Sequence, residues 1–569
     1  MSTTVVEQTR IVDSSADAKS VPRWRHWVPR VAFAILAPAL LLLLTEDALR
    51  LFHVGYSTKL MGPCTIHSRP SSCYNFLFAA PFFPPGMIKT PQFFSISAQK
   101  APHTYRVVVL GESAAMGDPD PAYSFSRYLE VMLRQRYPGT HFEVVNTGMV
   151  AINSHVSRIM AEELAQYHPD LYILYAGSNE VVGPYGPGTV LASSSLSLPI
   201  IKASIFLRSS RVGQLLRGSG NNQQTEWRGM EMFLEKEIRA DSPRMEPAYR
   251  NFQSNLRSIT EIAKAAGAKV VLSTVATNLR DSAPFASLHQ DELSAEDLAT
   301  WTAFVEEGEE LERKGAAAEA LRLYLTAAGI DNTYAELHYR IARCELAVGD
   351  FSAAKRHYVQ ARDLDTLRFR ADSRINDVIR SVAVSSGAGT RLLDTEFLFS
   401  GESRNGIIGS ELFYDHVHLT PQGSYLLARG AFDQIVPLLP KDVASSSQGT
   451  GRLPKEECER LLAFTEHDRA RVAAEMADRL QRPPFTQQLN HRDELQSLIL
   501  RASETPASIQ DSVSQYQWAI SQNPKDPTLH YKFGLFLFEY DRNAAAQELI
   551  LARPNDTFPV YLPDGTRVL

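Results

Sequence analysis

Residues 106–118 read RVVVLGESAAMGD, and they place a hydroxyl, Ser113, two residues after a glycine that ends a run of β-branched residues. A serine oxygen is a poor nucleophile unless a neighbouring base takes its proton. The chemistry that such a serine offers therefore depends on which imidazole and carboxylate the fold brings to it. The stretch LFYDHVHLTPQG supplies both types at close spacing, with Asp415 and His418 three residues apart and His416 between them. Two other segments end in small or amide residues. These are VNTGMV, with Gly148, and YAGSNEVVGPYG, with Gly177, Asn179 and Glu180. Each residue also has a plain structural role open to it. Ser113 can cap a helix N-terminus, Asp415 can cap a turn, Asn179 can be a turn residue, and Glu180 can be solvated. Gly111-Glu112-Ser113 lacks the GxSxG spacing of a nucleophile elbow, because Ala115 stands where the second glycine would be.

These segments are placed by a pattern of alternating strands and helices. RVVVL, HFEVVN, DLYILYAG and AKVVLSTV read as strands, and TRLLD as a fifth. SFSRYLEVMLRQRY, SRIMAEELAQY, AYRNFQSNLRSITEIAKAAG, RINDVIRSVAVSS and PQGSYLLARGAFDQIVPLL read as helices between or after them. The alternation predicts an α/β fold: a parallel sheet covered on both faces in three layers, with reactive groups at the strand C-terminal ends.

Four blocks in order, GES, Gly148, GSN and DHVH, resemble those of the SGNH hydrolases, also called GDSL-type esterases. The blocks of that family are Gly-Asp-Ser, Gly, Gly-x-Asn and Asp-x-x-His, and its fold is the flavodoxin-like α/β/α sandwich. The resemblance covers about residues 104–185, 248–280 and 390–438. Glu112 departs from it, standing where the family has Asp. The resemblance implies that Ser113 is the nucleophile, that His418 is its base, and that Asp415 holds the imidazole; His416 is the rival base. It implies an oxyanion hole made by the Ser113 and Gly148 N–H groups and the Asn179 side chain. Gly177, Glu180 and Arg370 are weaker candidates for substrate contact. Arg370 belongs with Arg368 and Arg374 to LRFRADSR, which reads more readily as a salt-bridged surface face. The implied activity is hydrolysis of an O-acyl ester, of a cell-surface glycan or lipid, without cofactor or metal. The same residues would serve an O-acyltransferase, and a membrane-tethered scaffold with a vestigial hydrolase fold is the contrasting reading.

The α/β pattern is interrupted. Residues 291–370 are helical, and Gly315, Ala320, Tyr324 and Ala327 recur 34 positions later as Gly349, Ala354, Tyr358 and Ala361. This period resembles the tetratricopeptide repeat, which offers a surface for a protein partner. The hydrolase domain is thus expected in two parts, 104–290 and 371–440. A Ser/Gly linker, 441–452, then leads to a helical region, 453–569, with similar spacing at Tyr516, Ala519, Pro524 and Gly534.

At the other end, residues 1–26 read as a disordered polar tail and 27–52 as a transmembrane signal anchor. The apolar run Val31 to Leu44 has no small-x-small cleavage site after it. Arg23, Arg25 and Arg30 precede it, so the positive-inside rule keeps the N-terminus in the cytoplasm and the catalytic part outside, periplasmic in a bacterium. Residues 53–103 read as an extracytoplasmic linker. Within it Cys64 and Cys73 are either a disulfide or two free thiols; Cys344 and Cys458 read as buried thiols. The 569 residues suggest about three or four domains. A net charge of -6 and 44% hydrophobic residues argue against a nucleic-acid binder and against wholesale disorder.

Overall fold

The structure, a computed structural model, describes residues 24–66, 68–97, 99–191, 197–218, 226–449, 452–503, 508–556 and 558–568, together with residue 3. Most of the expected N-terminal tail lies outside the described residues.

Five parallel strands form the central sheet. They are β4 (Thr104–Gly111), β5 (His141–Asn146), β6 (Leu171–Tyr175), β7 (Lys269–Ser273) and β8 (Thr390–Leu393), in the spatial order β5-β4-β6-β7-β8. Val107, Val108, Val109 and Leu110 of β4 are fully buried, which is why this strand reads as a continuous apolar run rather than an alternating one. The chain moves from β4 to β5 on one side and then returns past β4 to β6. With right-handed crossovers, that reversal sends the helix after β4 and the helix after β5 to opposite faces. Accordingly the helix Phe125–Arg136 packs with Pro421–Ile435, whereas Met245–Ala265 packs with both Ser154–Leu164 and Ser373–Ser385. The reversal also opens a crevice beyond the C-terminal end of β4, the place where open α/β sheets bind ligands.

Four helices, Ala295–Arg313, Ala317–Ile330, Ala335–Val348 and Phe351–Leu364, interrupt the sheet between β7 and β8. The repeated positions Ala320, Tyr324 and Ala327 are buried in one hairpin and Ala354, Tyr358 and Ala361 in the next. Tyr339 and Tyr358 join a cluster with Leu279, Ala283 and Ile407 of the α/β domain, and Tyr339 Oη donates to the Arg280 carbonyl at 2.7 Å. Two hairpins bury too little alone, and here they complete their burial against the sheet domain.

The stretch 53–103 is more than a connector. It forms an antiparallel sheet, β1 (Met61–Ile66), β2 (Arg69–Tyr74) and β3 (Ser95–Ser97), in that spatial order, and a disulfide joins Cys64 to Cys73. Phe78, Phe82, Phe83 and Met87 are buried in the main core. Proline-rich spacing hid this in the sequence, because PFFPPGM has neither helical nor strand periodicity. Cys344 and Cys458 are buried and unpaired. In the expected linker 441–452, Lys441–Ser445 is a short helix, and residues 450 and 451 lie outside the described residues.

The C-terminal region contains the helices Lys455–Leu461, Glu466–Leu480, His491–Ala502, Ile509–Gln522, Pro527–Leu537 and Arg542–Leu551. It sits on the α/β domain: Phe464 packs on Tyr123 with ring centroids 4.1 Å apart, and Asp526 pairs with Arg127. The helix Trp24–Leu51 packs with the helix Arg211–Gly218 in a separate unit. Its segment Arg30–Leu51, of mean hydropathy 1.9, is long and apolar enough to cross a membrane.

Candidate active site

Gly111 ends β4 with its backbone against the next strand. A Cβ there would lie 2.3 Å from the Tyr175 carbonyl oxygen, so the turn closes only with glycine. Ser113 follows as the first residue of a single-turn helix, Ser113–Met116. Its N–H, in a first helical turn, has no intrahelical acceptor, and its side chain faces a cleft of about 580 Å³.

The loop 411–420 carries the imidazole and the carboxylate. A bridge between Phe413 and Leu419 closes it, and Asn278 fixes its tip by donating Nδ2 to the Asp415 carbonyl and its N–H to the His416 carbonyl, each at 3.1 Å. Asp415 Oδ1 accepts the N–H groups of Val417 at 2.9 Å and His418 at 2.8 Å. Its Oδ2 lies 2.7 Å from His418 Nδ1, and His418 Nε2 lies 2.9 Å from Ser113 Oγ. Burial pushes the Asp415 pKa up, but His418 and His416 outweigh it and hold the carboxyl well below the usual range. An ionised Asp415 keeps a proton on Nδ1 and leaves Nε2 to face the serine. Burial pulls the His418 pKa down, and Asp415 and then Asp118 more than reverse this, so its pKa is raised.

His416 also lines the cleft, but its Nδ1 is 3.4 Å from Asp415 Oδ1 and its ring stands edge-on to Phe285. Burial lowers its pKa. Of the two histidines, His418 is the one in hydrogen-bond contact with Ser113.

The expected oxyanion residues separate. Gly148 does not line the cleft, and its N–H donates to Asn146 Oδ1 at 2.9 Å. A Cβ on Gly148 would lie 2.5 Å from the Met116 backbone nitrogen, so this glycine serves a close approach of two loops. Three residues later Ala151 lines the cleft in the left-handed region, with φ 60°. Its N–H has no partner among the described residues. Asn179 lines the cleft. Glu112 holds its loop, accepting the N–H groups of Gly177 at 3.1 Å, Ser178 at 2.9 Å and Asn179 at 3.3 Å. Burial, with Glu180 nearby, pushes the Glu112 pKa up to about 8 against the pull of these donors.

The three weaker candidates lie outside the cleft lining. Gly177 gives its N–H to Glu112. Glu180 is buried and accepts both the N–H and the hydroxyl of Ser154 at 2.8 Å, at the start of the helix Ser154–Leu164. Arg370 is buried, donating to Asp365 at 2.8 Å and to the Ser282 carbonyl at 2.8 Å. Arg368 is buried against Asp372, and Arg374 pairs with Glu246. Three arginines in LRFRADSR thus fasten the return from the helical insertion to the sheet.

Two further cleft residues carry no local signal in the sequence. Asp118 Oδ2 lies 3.1 Å from His418 Nε2, and Arg479, from the C-terminal region, binds Asp118. Trp227, Phe233, Phe369 and Phe485 give the cleft apolar walls. Among the described residues no cluster of three or more His, Cys, Asp or Glu side chains is arranged to hold a metal ion.

No family model matches the chain, and no curated protein matches it. Solved structures similar to it include the acetyl xylan esterase AlAXEase, at 11% identity and a TM-score of 0.27, covering 58% of this chain and 99% of that one. TesA is similar at 14% identity and a TM-score of 0.26, covering 59% and 99%. A GDSL-like lipase from Bacteroides thetaiotaomicron is similar at 12% identity and a TM-score of 0.25, covering 59% and 89%.

Proposed function

We propose that this protein is a serine ester hydrolase working through an acyl-enzyme on Ser113. One observation carries the proposal: Ser113 Oγ, His418 Nε2, His418 Nδ1 and Asp415 Oδ2 form a continuous chain of contacts of 2.9 and 2.7 Å, with Ser113 and His418 lining a cleft. His418 takes the Ser113 proton as the oxygen attacks the ester carbonyl, then gives it to the departing alkoxide. Water, deprotonated by the same imidazole, releases the acid and frees Ser113. Asp415 keeps the tautomer and offsets the imidazolium charge. The carbonyl oxygen becomes an oxyanion, and the donors in our reading are the Ser113 N–H, the Ala151 N–H and the Asn179 side-chain amide. One such donor contributes about 3 kcal/mol in comparable sites.

The apolar walls suit the acyl group of an O-acyl ester. In our reading the carrier is a surface glycan or lipid, reached from a membrane anchor at Arg30–Leu51 with the catalytic domain outside the cytoplasm. The Cys64–Cys73 disulfide supports that side, since such bonds persist in oxidising compartments. A reporter fused after residue 60 tests it: activity on the extracytoplasmic side supports the topology, and activity only in the cytoplasm overturns it. Hydrolysis of p-nitrophenyl acetate by the full chain, abolished in Ser113→Ala, supports the enzyme. Hydrolysis that survives this substitution unchanged overturns it.

A further inference from the structure

The nucleophile loop does not end at the helix Ser113–Met116. It continues through Asp118 and Asp120, and both carboxylates are held by cations of the C-terminal helical region. Arg479 donates Nη2 to Asp118 Oδ1 at 3.2 Å and Nη1 to Oδ2 at 2.5 Å. Lys532 donates to Asp120 at 2.6 Å, and Arg471 pairs with the same carboxylate. Oδ2, the Asp118 oxygen nearer to Arg479, is also the one 3.1 Å from His418 Nε2. Two oxygens therefore compete for one ring nitrogen, Asp118 Oδ2 and Ser113 Oγ.

This competition has a definite chemical sense. An unprotonated Nε2 can accept the Ser113 O–H, but it then faces the Asp118 carboxylate lone pair to lone pair. Once the Ser113 proton has moved to Nε2, the N–H can be shared with Asp118, and the imidazolium lies between two carboxylates. Asp118 thus favours the charged ring, as Asp415 does from the other nitrogen. Arg479 works against it by partly neutralising Asp118.

The other charges around the ring come from each neighbouring element. His416 stands beyond Asp415 with its ring centroid 5.9 Å from that of His418. Glu475, one turn before Arg479, lies 3.7 Å from its guanidinium. Glu494 acts on Asp415 and Arg370 on His416 from further away. Glu112, Arg228, Glu231 and Arg482 line the same cleft, but among the described residues the charged group in contact with Nε2 is Asp118, held by Arg479, so that pair is the local control.

On the reading of Ser113 and His418 as nucleophile and base, we propose that Asp118 is a positioning residue for the His418 imidazolium. Arg479 sets its strength, which makes the C-terminal helical region part of the catalytic centre. No proton passes to Asp118: the Ser113 O–H bond breaks, the proton resides on Nε2, and the leaving alkoxide takes it.

The test is the pH profile of kcat/KM for p-nitrophenyl acetate, measured on the full chain beside the pH profile of Ser113 labelling by a fluorophosphonate. Asp118→Asn moves the acid limb to lower pH, by about one unit. Arg479→Gln moves it to higher pH, and Arg479→Lys leaves it near the wild-type position. Opposite shifts are not produced by loosened packing, which lowers the plateau without moving the limb. An unmoved limb in Asp118→Asn, or shifts of both variants in one direction, overturns the inference. If Asp118→Asn does not fold, the Arg479 pair decides: equal profiles for Gln and Lys overturn it. A wild-type protein that neither turns over nor labels at any pH contradicts the underlying hydrolase reading instead.

Discussion

Glu112, the residue before Ser113, accepts the backbone N–H of Ser178, the residue before Asn179, at 2.9 Å. This contact ties the loop after β4 to the loop after β6, so the hydroxyl and the side-chain amide at the cleft are placed by one buried carboxyl group. It gives a physical reason for an acidic residue next to the nucleophile, although that residue does no chemistry of its own.

Glu112→Gln replaces one acceptor oxygen with an amide nitrogen that faces backbone N–H groups. We expect kcat to fall at least about tenfold through displacement of Asn179, and stability to fall by about 1–3 kcal/mol. Steady-state kinetics and denaturant unfolding measure the two. Unchanged kcat would show that the Asn179 loop is held without Glu112.

On the proposed reading, Asn179→Ala removes one of the oxyanion donors. We expect a loss of about 10²–10³ in kcat with KM little changed. Ala151→Gly keeps the N–H and relieves a non-glycine residue at positive φ, so activity stays within a fewfold of wild type and thermal stability does not fall. Gly148→Ala, by contrast, forces a Cβ into the Met116 backbone, and we expect it to show as lost stability in thermal unfolding.

The raised His418 pKa sets the pH response. The base must be neutral to take the Ser113 proton, so kcat/KM rises with pH through a value above that of an ordinary histidine. His418→Ala abolishes turnover, and His416→Ala costs less than about tenfold, because His416 meets Asp415 but not Ser113. A kinetic pH profile on each variant checks this. Equal losses would contradict the assignment of the base.

How far the site is legible in the sequence depends on how local each signal is. Ser113, Asp415 and His418 stand out because each falls at a strand end or in a short motif, and the order of these segments is visible in one dimension. Gly148 drew attention as the glycine at a strand tip, yet its N–H is used by Asn146. The cleft position three residues on is an alanine, and nothing in a sequence marks an alanine with positive φ. Asp118 and Arg479 are 361 residues apart, and no periodicity announces an ion pair over that distance in sequence. The sheet was readable from its apolar runs. The small sheet β1–β3 was not, since the segment between β2 and β3 enters the main core through aromatic residues spaced by prolines.

The disulfide closes a short loop between Cys64 and Cys73, with a separation of 9 residues. Loop-closure entropy for about ten residues gives roughly 2–3 kcal/mol. Cys64→Ser should lower unfolding free energy by about that amount while leaving esterase kinetics unchanged, since neither cysteine lines the cleft. A loss of activity in folded Cys64→Ser protein would contradict a purely stabilising role.

The most direct measurement is the site of covalent labelling by a fluorophosphonate on folded, full-length protein, read by peptide mass spectrometry. The account predicts one modified residue, Ser113, with labelling absent in Ser113→Ala and slowed by at least about a hundredfold in His418→Ala. Labelling at another serine, or a Ser113 that reacts as fast without His418 as with it, would contradict the account.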